Sequence, residues 1–114
     1  MRTVNQLPLA PRDRKAIEQA ASELRKRLPI EELRLFGSKA RGTDEAESDI
    51  DLLVLTSRPL SWRERGEMTD TLFNLELVHD VLFNVLALPA REWTEGPYIV
   101  LPIHDEIDRD GVLV

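Results

Sequence analysis

The spacing of apolar positions divides the chain into elements before any residue's chemistry is considered. Behind Pro11, the segment RDRKAIEQAASELRKRL (12–28) places Ile17, Ala20, Ala21, Leu24 and Leu28 at the i, i+3, i+4, i+7, i+11 spacing of a helix with one buried stripe. Pro29 ends it, because proline has no N–H to continue the ladder. IEELRLFG then alternates until Leu33, Leu35 and Phe36 turn increasingly apolar, which predicts a strand ending at Gly37. From Ser38 to Ser48 the residues are small and charged, with Gly42 among them, a short helical turn followed by a loop. Residues 49–56, DIDLLVLT, form the most apolar strand candidate.

A second helical pattern covers 61–78: Ser61 caps its start, and Met68, Leu72 and Leu75 recur on one face with Phe73 and Leu77 beside them. The β-favouring run Asp80 to Leu88 is a third strand closed by Pro89, and AREW behind it starts a short helix. Ile99, Ile103 and Ile107 suggest a last helix that Pro102 would interrupt, with Gly111 as its C-terminal cap. Helices alternating with two or three core strands imply an α/β (α+β) fold, a small mixed β-sheet flanked by helices.

At 114 residues the chain fits a single domain, 1–114, and its 42% apolar and 32% charged residues suffice for one packed core. So small a domain buries only about two-thirds of its unfolded surface, so an open groove is expected rather than a deep cavity. The absence of cysteine excludes disulfides, thiol nucleophiles and Cys-ligated metals and points to a cytoplasmic setting. Apolar runs such as Leu52 to Leu55 fall far short of the roughly 20 residues a membrane helix needs, and the first residues lack a signal peptide's apolar stretch. A formal charge of −6 argues against non-specific DNA binding.

Against that background Asp49 and Asp51 stand out. Alternation along a strand points both carboxylates to one face while Ile50 and Leu52 point to the other. Two like charges roughly 7 Å apart repel unless something positive lies between them, and Mg²⁺, which prefers oxygen ligands, fits that description. Gly37-Ser38, at the end of the preceding strand, permits close backbone approach and offers the unpaired N–H groups of a following helical turn, a seat for phosphate. Lys39 and Arg41 can add positive charge there. Of the remaining conspicuous residues, His79 reads as a helix cap or surface group and Trp62 and Trp93 as packing at the rim of the core, an exposed tryptophan pointing instead to a partner surface. His104 with Asp105, Glu106, Asp108 and Asp110 reads as a solvated acidic helix end.

Gly37-Ser38, ten residues, then Asp49-x-Asp51, with a strand on either side, resembles the nucleotidyltransferase superfamily that includes DNA polymerase β, and in particular its minimal nucleotidyltransferases (MNT). The resemblance implies that Gly37 and Ser38 hold the β and γ phosphates of a nucleoside triphosphate and that Asp49 and Asp51 coordinate Mg²⁺. Many relatives add a third carboxylate from the next strand. Asp80, Leu82 and Asn84 share one face by parity, and Asp80 is the favoured equivalent because it can bind metal and accept a proton; Asn84 there would imply weak or lost catalysis. The implied activity is Mg²⁺-dependent transfer of AMP from ATP to an acceptor hydroxyl. Minimal members resemble the antitoxin of HEPN/MNT toxin–antitoxin modules, which implies a HEPN-type ribonuclease toxin as partner and a tyrosine on it as acceptor. An antitoxin that neutralises by binding alone, or a small-molecule (antibiotic) nucleotidyltransferase, are the alternatives.

Overall fold

A computed structural model describes residues 1–43 and 48–114. A 3-10 turn at Val4–Gln6 precedes α1 (Pro11–Arg27), β1 (Ile30–Phe36), α2 (Gly37–Arg41), β2 (Ile50–Thr56), α3 (Trp62–His79), β3 (Phe83–Pro89) and α4 (Ala90–Glu95). A second 3-10 turn, Pro97–Val100, leads to α5 (Pro102–Asp110) and β4 (Val112–Leu113). The sheet order is β3-β2-β1-β4, with β1 antiparallel to β2 and β4 and with β3 parallel to β2. The sheet is thus mixed and flanked by helices, as expected, with β4 an edge strand that so short a VLV segment does not announce.

Alternation along β2 divides the core into two layers. Ile50, Leu52 and Val54 pack with Ile17, Ala20 and Leu24 of α1 and with Leu72 and Leu75 of α3. Leu53 and Leu55 face the opposite layer, where Phe36, Leu88, Trp93 of α4 and Ile107 of α5 close over the sheet. Central position and double-sided burial explain the near-continuous apolar run of this strand. By the same parity Asp51 projects on the α4 and α5 side.

Three features depart from the sequence expectation for identifiable reasons. The third strand begins at Phe83 rather than residue 80, because α3 runs on to His79 and Asp80 closes it in a left-handed conformation, φ 54°. Pro102 starts α5 instead of interrupting it, since an N1 proline has no hydrogen bond to lose. Gly111 caps α5 as expected, with ordinary extended backbone, φ −62°. On α3 the expected inner residues Leu72 and Leu75 are buried, whereas Phe73 and Leu77 lie outward, 56% and 68% exposed.

The start of α3 is a capping box: Ser61 Oγ accepts from the Glu64 N–H at 3.1 Å, and Glu64 Oε1 accepts from the Ser61 N–H at 2.9 Å. The Arg58 guanidinium, at 2.8 Å, and the Ser61 N–H together hold the Glu64 carboxyl down to about 2. Ser61→Ala is expected to cost about 1 kcal/mol in a denaturant titration. Because the Glu64 value is depressed in the folded state, its contribution is present above the ordinary 4.5 and disappears as pH falls toward about 2. Acid titrations of wild type and Glu64→Gln should therefore converge through that window.

Candidate active site

The corner joining β1 to β2 brings the glycine–serine pair and the aspartates together. Gly37 turns the chain from β1 into α2 at φ +73°, a backbone region that costs an L side chain strain. A Cβ built there would overlap the Asp51 carboxylate, so only glycine leaves that carboxylate its place. Phe36 is in register with Asp51 across β1 and β2, and Asp51 with Asn84 across β2 and β3. Asp51 therefore sits with the glycine on one side and the Asn84 amide on the other. The first N–H groups of α2 have no partner within the helix and carry its positive end. Gly42, left-handed at φ +75°, ends α2 after five residues.

Burial is the largest influence on Asp51 and raises its carboxyl above the usual aspartate range. The Asn84 hydrogen bond opposes that shift, the neighbouring Asp49 charge adds to it, Arg41 lowers it and Glu106 raises it. Asp49, one residue before β2, is exposed. The available ligands are thus two carboxylates, hard oxygens in a half-open setting that suits Mg²⁺ with phosphate and water completing its shell. Among the described residues no three His, Cys, Asp or Glu side chains gather closely enough to hold a metal by themselves. A cleft of about 360 Å³ between Arg12, Phe73, Leu77, Asp80 and Leu82 reaches Ser48, but its wall is α1 and α3, the opposite side of the sheet from Asp51.

Two expected site residues, Asp80 and Lys39, take other positions. Asp80 lies off the sheet, its side chain 99% exposed and 3.8 Å from Arg12, because α3 ends there. The place beside Asp51 on β3 belongs to Asn84. Lys39 turns inward: its side chain is 0% exposed and its Nζ donates to Asp13 of α1 at 2.8 Å. Arg41 remains at the surface, paired with Glu106 of α5 at 2.9 Å, and near enough to influence Asp51. Asp13 and Glu106 were invisible as neighbours of the site, since they lie 26 and 65 residues from the groups they bind.

The remaining candidates are structural. Trp93 is 1% exposed and stacks on His104 at 4.3 Å, while His104 Nε2 pairs with the Trp93 carbonyl at 2.9 Å. His104 is therefore core rather than part of a solvated acidic end. His79 ends α3 and hydrogen-bonds Gln19 at 2.6 Å, the surface role expected of it. Trp62 is 91% exposed, contrary to the expected rim packing. Among the described residues no helix is long and apolar enough to cross a membrane.

The family model described as nucleotidyltransferase domain matches residues 17–93. A solved toxin–antitoxin complex with AMP-PNP is similar at a TM-score of 0.60 and 21% identity, over 84% of this chain and 69% of that one. A structure of tri-AMPylated Shewanella oneidensis HEPN toxin with MNT antitoxin is similar at 0.55 and 19%, over 88% and 69%. A candidate nucleotidyltransferase from Sulfolobus solfataricus follows at 0.56 and 24%, over 90% and 80%. These likenesses are of fold. No curated protein sequence matches.

Two substitutions test this construction. Asp13→Ala would leave the Lys39 ammonium buried without its carboxylate and is expected to cost about 3 kcal/mol or more in chemical denaturation. Gly37→Ala is expected to cost about 1–2 kcal/mol in chemical denaturation for the left-handed backbone and its overlap with Asp51, while the circular dichroism spectrum stays native.

Proposed function

The chain belongs to the nucleotidyltransferase domain family, and from that premise we propose that it transfers AMP from ATP, with Mg²⁺, to a hydroxyl of an acceptor protein. The observation that carries this reading is the packing of the Gly37 backbone against the Asp51 carboxylate, which joins a phosphate seat to a cation site. The partner we infer is a HEPN-type ribonuclease toxin with a tyrosine as acceptor, the chain acting as its antitoxin in the cytoplasm. Support comes from fold neighbours that are toxin–antitoxin complexes, one holding AMP-PNP and one an AMPylated HEPN toxin.

In this reading Gly37 lets the triphosphate approach the main chain, and the N–H groups from Gly37 and Ser38 onward neutralise its β and γ oxygens. Asp49 and Asp51 would hold Mg²⁺. A bound Mg²⁺ supplies charge at the α-phosphate and orients the attacking and departing oxygens. Asn84 steadies Asp51 through its hydrogen bond but cannot take the acceptor's proton. The acceptor oxygen would bond to the α-phosphorus as pyrophosphate leaves, and its proton would pass to Asp49 or Asp51, the carboxylates that would also hold the metal. The chemistry needs no covalent enzyme intermediate, so correct placement on an open face suffices.

Asn84 also favours a second reading, an antitoxin that neutralises its partner by contact and has little catalytic power. The two are separated by incubating the chain with α-labelled ATP, Mg²⁺ and the protein that co-purifies with it from its native host. The enzymatic reading expects label on the partner, a mass increase of one or more AMP units, and at least a hundredfold loss in Asp49→Asn and Asp51→Asn. No label on the partner, combined with full inhibition of it, would establish contact as the mechanism; label on free aminoglycosides would identify a small-molecule enzyme. Asn84→Asp, which adds a third carboxylate, is expected to bind Mn²⁺ without nucleotide several-fold more tightly by calorimetry.

A further inference from the structure

Arg41 closes α2, and its charge is already engaged by a residue outside the site. Its Nη1 donates to Glu106 Oε1 of α5 at 2.9 Å, with 39% and 43% of the two side chains exposed. Asp51, whose carboxyl is raised chiefly by burial, feels both charges: Arg41 lowers it and Glu106 raises it. The pair therefore stands beside the carboxylate against which Gly37 packs. The fold does not depend on it. Ile107, wholly buried, fastens α5 to the core, His104 stacks on Trp93, and Asp108 accepts from Arg34 Nη1 at 2.9 Å and from Trp93 Nε1 at 3.3 Å. An exposed pair joined through a single N–H is worth about fivefold at most in an equilibrium. Nor does it fix a guanidinium as a two-pronged contact would.

Resting on the nucleotidyltransferase reading above, we propose that Glu106 holds Arg41 in reserve: a nucleoside triphosphate entering beside Asp51 draws the guanidinium away from Glu106, so that this carboxylate competes with the triphosphate and sets its affinity. Side chains on a helix lean toward its N-terminus, so Arg41 is set to cover the turn that starts at Gly37 and Ser38. Rotation about its own side-chain bonds carries it from α5 to that turn. Phosphate is the stronger partner, because a triphosphate brings several negative charges where Glu106 brings one, and its oxygens accept two N–H groups of the fork at once. Lys39 cannot take the role. Its Nζ is buried on Asp13 at 2.8 Å, which leaves Arg41 as the cation of α2 at the surface. Glu106 also repels the phosphates directly, an effect that does not pass through Arg41 and can therefore be separated from the competition.

Calorimetric titration of the full chain with ATP and Mg²⁺, at about 0.1 M salt, tests the exchange through a double-mutant cycle. Arg41→Gln is expected to weaken binding about tenfold, and Glu106→Gln to strengthen it about three- to fivefold. With Arg41 already replaced by Gln, the Glu106→Gln gain is expected to fall below about twofold, the part due to direct repulsion alone. Glu106→Asp, whose shorter side chain holds Arg41 less well, should lie between wild type and Glu106→Gln. A Glu106→Gln protein that binds ATP no better than wild type, or more weakly because Glu106 orients Arg41 instead, overturns the proposal; so does a gain that is equally large without Arg41. Each of those results leaves the nucleotide reading standing, whereas a wild type that binds no ATP overturns both.

Discussion

The register of β2 is the constraint from which the site follows. Side chains alternate along a strand, so packing Ile50, Leu52 and Val54 against α1 and α3 obliges Asp51 to emerge on the other face, beside Leu53 and Leu55. A slip of one residue would drive Asp51 into the layer of α1 and α3, an outcome that desolvation of the carboxylate opposes. The carboxylate is aimed by hydrophobic packing that it does not itself take part in. Gly37 then completes the arrangement, because at φ +73° it brings the main chain to the Asp51 oxygens without a Cβ in between.

What holds that corner still is a buried ion pair. Lys39, two residues beyond Gly37, crosses to Asp13 near the start of α1, and neither group has appreciable contact with water. Such a pair is costly to desolvate and adds little net stability against an apolar alternative, but losing one partner is severe. Its effect is to specify position: α2 is short, five residues, and cannot orient itself by its own hydrogen bonds. Anchoring Lys39 to α1 on one side, with Ala40 wholly buried beside it, fixes the direction in which the first N–H groups of α2 point. A positive charge that sequence reading assigns to the ligand is spent on the protein instead.

The legible parts of the fold are those written in local periodicity. The stripe of α1, the apolar run of β2 and the Ser61 cap of α3 each depend on neighbours within a few residues, and each forms where its pattern lies. The aspartates and the Gly37 corner were legible for a related reason, since ten residues of spacing and two strands confine them. Asp80 misled because α3 has apolar residues on two sides, so nothing in its pattern marks where helix gives way to strand; the left-handed residue that ends it was an aspartate rather than a glycine. Lys39 misled because its partner, Asp13, is distant in sequence. No local rule says whether a lysine next to a phosphate seat faces the phosphate or the core.

Asn84 bears on how a metal would reach the proposed site. Two carboxylates, one of them exposed and the other with its charge disfavoured by burial, form a weaker trap for a divalent ion than three would. The balance shifts when a triphosphate is present, because its oxygens bring both additional ligands and the negative charge that β3 withholds. Under the proposed reading the N–H groups of α2 would take the triphosphate while Asp49 and Asp51 would hold Mg²⁺, so binding of each would favour the other. Occupancy then depends on both groups being correctly spaced, and that spacing is the distance Gly37 keeps from Asp51.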